Sequence, residues 1–259
     1  MAQVAVQIHP IKAYNDNYIW AICPSDSNLM WVVDPGQSEP VIEFATAQHK
    51  QLAGILVTHY HWDHTDGIAP LQAHYGNLPV YGPKNTPFGG ITHPLNDGGK
   101  VVIAGLDFTI AHTPGHTLDH ICYLGTELAF TGDTLFSAGC GRLFEGTPAQ
   151  MWRAMQTLAQ LPPECKIYCT HEYTQANLAF AAAVEPDNID ITTWQEWGQK
   201  QRAQALPTLP TTIARELSIN PFMRANLPHM LDTVPSELQT DCDEDWQRFA
   251  VLRQWKDNF

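Results

Sequence analysis

The sequence predicts an α+β protein, with sheets covered by helices over roughly the first two-thirds of the chain and a small helical C-terminal domain after them. Short apolar runs of strand length recur between Gly, Pro, Asn and Asp residues up to Glu172. Patterns of helical period fall between some of these runs, so the sheets acquire helices that cover them. Past Glu172 the strand signals vanish, and Trp194, Trp197, Trp246 and Trp255 gather among helical patterns.

In chain order, strands are expected at Val4–Ile8, Tyr18–Cys23, Met30–Val33, Gly54–Thr58, Leu106–His112, His120–Leu124, Leu128–Thr131 and Lys166–Thr170. Each is rich in β-branched or aromatic residues. Helices are expected at Glu39–His49, Gly67–His74 and Pro148–Leu161. Thr147 is placed to cap the last of these, with Pro148 at the first helical position, where a missing N–H costs nothing. The tail reads as helices at Thr174–Val184, Ile191–Gln204, Thr211–Leu217 and Asp243–Lys256. The boundary falls near Tyr173, giving domains 1–173 and 174–259.

Composition bounds the function. A chain of 259 residues, 44% hydrophobic, can bury a sizeable core, and 17 glycines and 19 prolines scattered along it indicate a loop-rich globular protein. Fourteen Lys and Arg against 27 Asp and Glu give a formal charge of −13. Such a field repels nucleic acid and anionic membrane, which leaves a small molecule as the partner of a monomer. An anionic substrate would need local cations to overcome the same field. Cys23, Cys122, Cys140, Cys165, Cys169 and Cys242 form no C-x-x-C pair and read as reduced, mostly buried thiols. The first six residues carry no basic region, and no run reaches the ~18 apolar residues of a membrane span, so a cytoplasmic location is expected.

The densest polar signal is Thr58-His59-Tyr60-His61-Trp62-Asp63-His64, directly after the apolar run Gly54–Val57. A period of two in extended backbone puts His59 and His61 on one side at the strand's end. The chain then turns toward the helix expected near Gly67, so Asp63 and His64 present a second set close by. A lone histidine here would read as solvated or capping. Four ligand types within six residues exceed what one tetrahedral ion takes from a loop, but suit two adjacent ions. Three further strand ends carry His116 (in Thr113–Thr117), Asp133 (in Phe130–Thr134, expected to be exposed) and His171 (in Cys169–Glu172). Each is weak singly; together they form a set, because sites of layered folds gather at strand C-terminal ends.

H-x-H-x-D-H followed by separate His, Asp and His elements resembles the metallo-β-lactamase superfamily. The resemblance implies an αββα sandwich with metals at one edge of its sheets. It also implies that His59, His61 and His116 hold one metal, that Asp63, His64 and His171 hold the second, and that Asp133 bridges both. Five neutral imidazoles and two carboxylates leave two divalent ions with about +2 of uncompensated charge, which favours ionised water at neutral pH. Nitrogen and oxygen ligation suits zinc first, with iron or manganese as alternatives.

Four more stretches narrow the reaction: Gly139–Gly146, His171–Thr174, Asn220-Pro221-Phe222-Met223-Arg224 and Arg253-x-x-Lys256. With them the match spans nearly the whole chain and resembles the glyoxalase II family, whose helical tail builds a glutathione pocket. That resemblance implies hydrolysis of the thioester S-D-lactoylglutathione to glutathione and D-lactate by a metal-bound hydroxide. Asp63 and Asp133 act in it as ligands rather than as an acid–base pair. Arg142, Phe144, Tyr173, Arg253 and Lys256 are the implied substrate-binding residues. Arg253 and Lys256 are three apart on an expected helix, hence on one face, although such a pair is also what a solvated helix end carries. The chain departs from some family members, which have Lys at Arg142 and Tyr at Phe144. The competing readings are a one-iron persulfide dioxygenase, a lactonase or phosphodiesterase on the same core, and a non-enzymatic metal-storage or redox module. The other histidines read as structural or surface, with His112 and His120, flanking the His116 loop, as candidates to support a ligand.

Overall fold

The computed structural model describes residues 5–259. Met1–Val4 lie outside the described residues, and with them the start of the strand expected at Val4–Ile8 and most of the stretch on which the expectation of an unexported chain rests. Contacts divide the chain into two compact units. One runs to His112 and includes Asp119–Gly132; the other joins Thr113–Leu118 to Asp133–Phe259.

The first unit contains β1 (Val6–Ala13), β2 (Asn17–Pro24), β3 (Leu29–Val33), α1 (Glu39–Ala47), β4 (Gln51–Leu56), the single turn α2 (Trp62–Thr65), α3 (Ile68–Tyr75), β5 (Val80–Pro83) and β6 (His93–Leu95). Strands β1 to β6 form a sheet in sequence order, antiparallel from β1 to β3 and parallel from β3 to β6. Every residue of β2 is buried, as expected of a strand covered on both faces. Val41 and Ala45 of α1 and Ile68 and Leu71 of α3 pack with Met30, Val32, Ile55 and Val57 into one apolar layer. Each such side chain, fully buried, is worth about 1.5–3 kcal/mol.

The same unit holds a second, antiparallel sheet of β7 (Lys100–Ile103), β8 (Leu106–His112), β9 (Ile121–Leu124) and β10 (Leu128–Gly132). Tyr123 of β9 ties the two sheets face to face. Its buried hydroxyl reaches the carbonyl oxygens of Val57 (2.9 Å) and Tyr81 (3.2 Å), so a polar atom inside the sandwich is satisfied.

The second unit contains the hairpin β11 (Leu135–Phe136) and β12 (Gly139–Cys140), then α4 (Pro148–Leu158), β13 (Lys166–Cys169), α5 (Thr174–Val184), α6 (Ile189–Ala203), β14 (Thr211–Thr212), α7 (Ile213–Ile219) and α8 (Asp245–Asp257). Thr147 caps α4 as expected. Its hydroxyl accepts the Gln150 N–H (3.2 Å), and the Gln150 side chain returns to the Thr147 N–H (2.8 Å). The expectation that strands cease after Glu172 is corrected by β14. Two β-branched residues there pair antiparallel with β13 before Thr212 caps α7. The Asn220–Arg224 stretch is a brace. Asn220, fully buried, donates to the carbonyls of Phe136 (3.2 Å) and Gly139 (3.0 Å) and so pins the β11–β12 hairpin. Phe222, read as core, is fully buried and stacks on Phe180 at 5.8 Å.

Candidate metal centre

In the first unit the four residues expected from H-x-H-x-D-H are brought together. His59 follows β4 and is buried, while His61 precedes α2, whose single turn carries Asp63 and His64. His59 Nε2 lies 3.1 Å from His61 Nδ1, and His64 Nε2 lies 3.5 Å from Asp63 Oδ2.

Partners behind the rings decide which nitrogens face inward. Asp34, just past β3 and held at φ 52°, accepts the Thr58 N–H and the Thr58 hydroxyl, both at 2.7 Å. With its proton given to Asp34, the Thr58 oxygen can only accept from His59 Nδ1 at 3.1 Å. That assignment leaves a lone pair on His59 Nε2. Asp34 Oδ2 also lies 3.1 Å from His64 Nδ1. Gly36 lets this loop approach closely, since a Cβ there would stand 2.0 Å from the Asp63 carbonyl oxygen.

The second unit assembles the other three expected ligands. His116 Nε2 and His171 Nε2 approach Asp133 Oδ2 at 3.4 and 3.3 Å. Asp133 is 5% exposed, which corrects the expectation of an exposed side chain. The two imidazoles close over it. His116 Nδ1 donates to the Arg142 carbonyl at 2.8 Å, which again leaves the lone pair on Nε2. The backbone there is tight, and a Cβ at Gly141 would stand 2.0 Å from the Asp133 carbonyl oxygen. Each unit thus gathers imidazole nitrogens and a carboxylate oxygen within 3.1–3.5 Å of one another. His59 and His116 present lone pairs there, and this donor set fits a borderline divalent ion.

The five residues expected to bind substrate also lie in the second unit. Phe144, 62% exposed, sets its ring edge-on to His116 at 5.2 Å. Tyr173 stacks on His171 at 4.7 Å with the planes 3° apart. Arg142 is exposed, 6.0 Å above the Phe144 ring, and its Nε lies 3.9 Å from Asp257 Oδ1. Arg253 differs from the solvated cation that its spacing suggests. It is buried, donating to the Cys140 carbonyl (3.0 Å) and to Asp257 (2.9 and 3.1 Å), with Phe222 beneath it at 4.9 Å. Lys256 donates to the Ala176 carbonyl at 3.2 Å. Burial, then the charge of Arg253, lowers its pKa below the usual lysine value.

Of the two supporting histidines, His120 is buried and stacks on His59 at 4.8 Å. His112 is exposed, and its backbone N–H donates to Asp97. Sequence reasoning missed Asp34, Thr58, Asn17 and Asp257. Asp34 carried a signal, since it follows an apolar strand just as the expected ligands do. The other three carried none.

The chain matches the metallo-beta-lactamase superfamily model over residues 16–171 and the model described as hydroxyacylglutathione hydrolase C-terminus over residues 172–259. A hydroxyacylglutathione hydrolase of Pseudoalteromonas translucida (strain TAC 125) is 53% identical over 256 residues, covering 98% of this chain and 100% of that protein. One from Shewanella denitrificans is 47% identical, covering 97% and 99%. Among solved structures, ETHE1 from Myxococcus xanthus superposes with a TM-score of 0.63 at 23% identity, covering 86% of this chain and 92% of its own. That likeness shows the fold.

Proposed function

Given that this chain belongs to the hydroxyacylglutathione hydrolase (glyoxalase II) family of the metallo-β-lactamase superfamily, and is a thioester hydrolase acting on S-lactoylglutathione, we propose that its chemistry is done at a dinuclear centre. His59, His61 and His116 would hold one ion, and Asp63, His64 and His171 the other. Asp133 would serve both, and zinc is the first choice of metal. The observation that carries this reading is the convergence, in each unit, of imidazole nitrogens and a carboxylate oxygen within 3.1–3.5 Å of one another, with His59 and His116 held from behind.

Bound there, divalent ions would acidify water and polarise a carbonyl. The chain's own residues supply the rest. Thr58, held by Asp34, and the Arg142 carbonyl fix two imidazole tautomers, those of His59 and His116, before any ligand arrives. Asp63 and Asp133 are committed as ligands, so the site offers no strong general acid. A thiol leaving group of pKa near 8–9 needs none. The proposed acyl group is D-lactoyl. Phe144 and Tyr173 would wall the thiol arm, with the Tyr173 hydroxyl as a donor, while Arg142 and Lys256 would face the glutathione carboxylates. Arg253 would act there indirectly, by holding the Cys140 carbonyl two residues before Arg142. We further propose that residues 1–173 form the catalytic domain that carries the metals and contributes Arg142, Phe144 and Tyr173, and that 174–259 form the helical domain that completes the substrate pocket, in a cytoplasmic monomer. In support, the family matches meet at residues 171 and 172, and no helix among the described residues is long and apolar enough to cross a membrane.

The test is turnover of S-D-lactoylglutathione and metal content measured on one purified sample. Two ions per chain are expected. Asp133→Ala should lose metal as well as rate, while His9→Ala, outside the cluster, should lose neither. An Asp133→Ala protein that keeps two ions and near-normal turnover would sink the assignment.

A further inference from the structure

Asp63 sits in a single helical turn, Trp62–Thr65, too short to hold a side chain in place by its own backbone hydrogen bonds. Its neighbour Trp62 is 61% exposed, with its ring edge-on to Tyr14 at 5.2 Å. What grips Asp63 is Asn17, the first residue of β2. Asn17 is 5% exposed, and its Nδ2 donates to Asp63 Oδ2 at 3.1 Å and approaches the Asp63 carbonyl oxygen at 3.4 Å. Both atoms are acceptors, so only the NH2 end of the amide can face them. On the other side, the bare Cα of Gly36 leaves room for that carbonyl and for nothing more.

We infer that Asn17 is a positioning residue that aims the Asp63 carboxylate at its ion and thereby sets the affinity of the second metal position. This rests on the dinuclear reading above. A neutral amide suits the task. It orients the carboxylate by one hydrogen bond without cancelling the charge that the ion needs, whereas Lys or Arg in its place would compete with the metal. The first ion's imidazoles are oriented from elsewhere, His59 by Thr58 and His116 by the Arg142 carbonyl. Loss of Asn17 should therefore be felt unequally by the two ions. Partners behind metal ligands are typically worth about 10–100-fold in affinity, and that is the expected loss at the second position.

The experiment titrates Zn2+ into the metal-free full chain against a chromophoric chelator, comparing wild type with Asn17→Leu and Asn17→Ala. Leu keeps the branched shape and removes the donor, so packing and hydrogen bonding are separated. Two binding steps in wild type, with one of them lowered about 10–100-fold in both variants, the other unchanged, and the metal-free melting temperature of Asn17→Leu preserved, is the result expected. Unchanged affinities would overturn the inference. So would equal weakening of both ions together with a lower melting temperature, which would assign Asn17 to the fold. A single binding step in wild type would instead overturn the dinuclear reading itself, and this inference with it.

Discussion

Arg253 and Lys256 stand three residues apart on α8, and the sequence treats them alike, as a cation pair for an anionic substrate. Packing separates them. Arg253 is buried with its nitrogens on Cys140 and Asp257, whereas Lys256 is half-buried with its ammonium on one carbonyl. Removing Arg253 leaves the Cys140 carbonyl without that partner, a cost of about 1–3 kcal/mol. Arg253→Ala should therefore lower the unfolding midpoint and impair glutathione and small neutral thioesters in similar proportion. Lys256→Ala should melt near wild type and raise KM for the glutathione thioester alone, with kcat little changed, because its contact would be remote from the scissile bond. A wild-type melting curve for Arg253→Ala with only KM affected would return it to the direct-contact role. The clustered His and Asp residues were legible because their spacing is chemically unusual. Asp34 gave only the weak signal of an Asp after an apolar strand, and Asn17, the first residue of β2, gave none, since an Asn beside a turn has many uses. Only the folded backbone brings Asn17 against a residue 46 positions away.

At the scale of elements, the long segments were legible and most short ones were not, although β9 and β13, four residues each, formed where strands were expected. The expected bounds of β8 and of α5 coincide with those formed. The strands β5, β6, β7, β11, β12 and β14, two to four residues each, gave no usable pattern, because their pairing is set by neighbours distant in sequence. A comparable long-range tie closes the end of α5. Glu185 accepts two bonds from Arg224 (2.6 and 2.9 Å), and His229 Nε2 lies 3.1 Å from it. Burial alone would raise the Glu185 pKa, but the bonds from Arg224 and His229 outweigh it and hold the group below the usual glutamate value of 4.5. A depressed carboxylate stabilises the fold above its unfolded pKa, and that stability is lost as pH falls below 4.5 toward the folded value. Glu185→Gln should then cost about 1–3 kcal/mol at pH 7. Its deficit against wild type, measured by urea unfolding, should shrink as pH drops below 4.5. A deficit that stays constant as pH falls from 7 to well below 4.5 would mean that the Glu185 charge contributes nothing.

Over the whole molecule, the formal charge of −13 opposes any anionic substrate, and a few local cations must reverse that sign where it binds. Salt separates the two effects. At physiological ionic strength the Debye length is about 8 Å, so contacts at the partly exposed Arg142 and Lys256 are weakened by added salt, and the diffuse repulsion from the rest of the surface is weakened too. If the local contacts dominate, KM for the glutathione thioester should rise with salt in wild type. With Arg142 and Lys256 both replaced by Ala, only the repulsive field is left, two positive charges stronger in its negative sense. KM should then be higher at low salt and should fall as salt is added. Exposed charge contacts are worth about 0.2–1 kcal/mol each, so the low-salt penalty should reach about fivefold per exposed residue at most. Reversal of the salt slope between the two proteins is the decisive quantity, because a merely destabilised variant would shift KM without changing its sign. A double variant whose KM still climbs with salt would place the recognition of glutathione elsewhere in the chain.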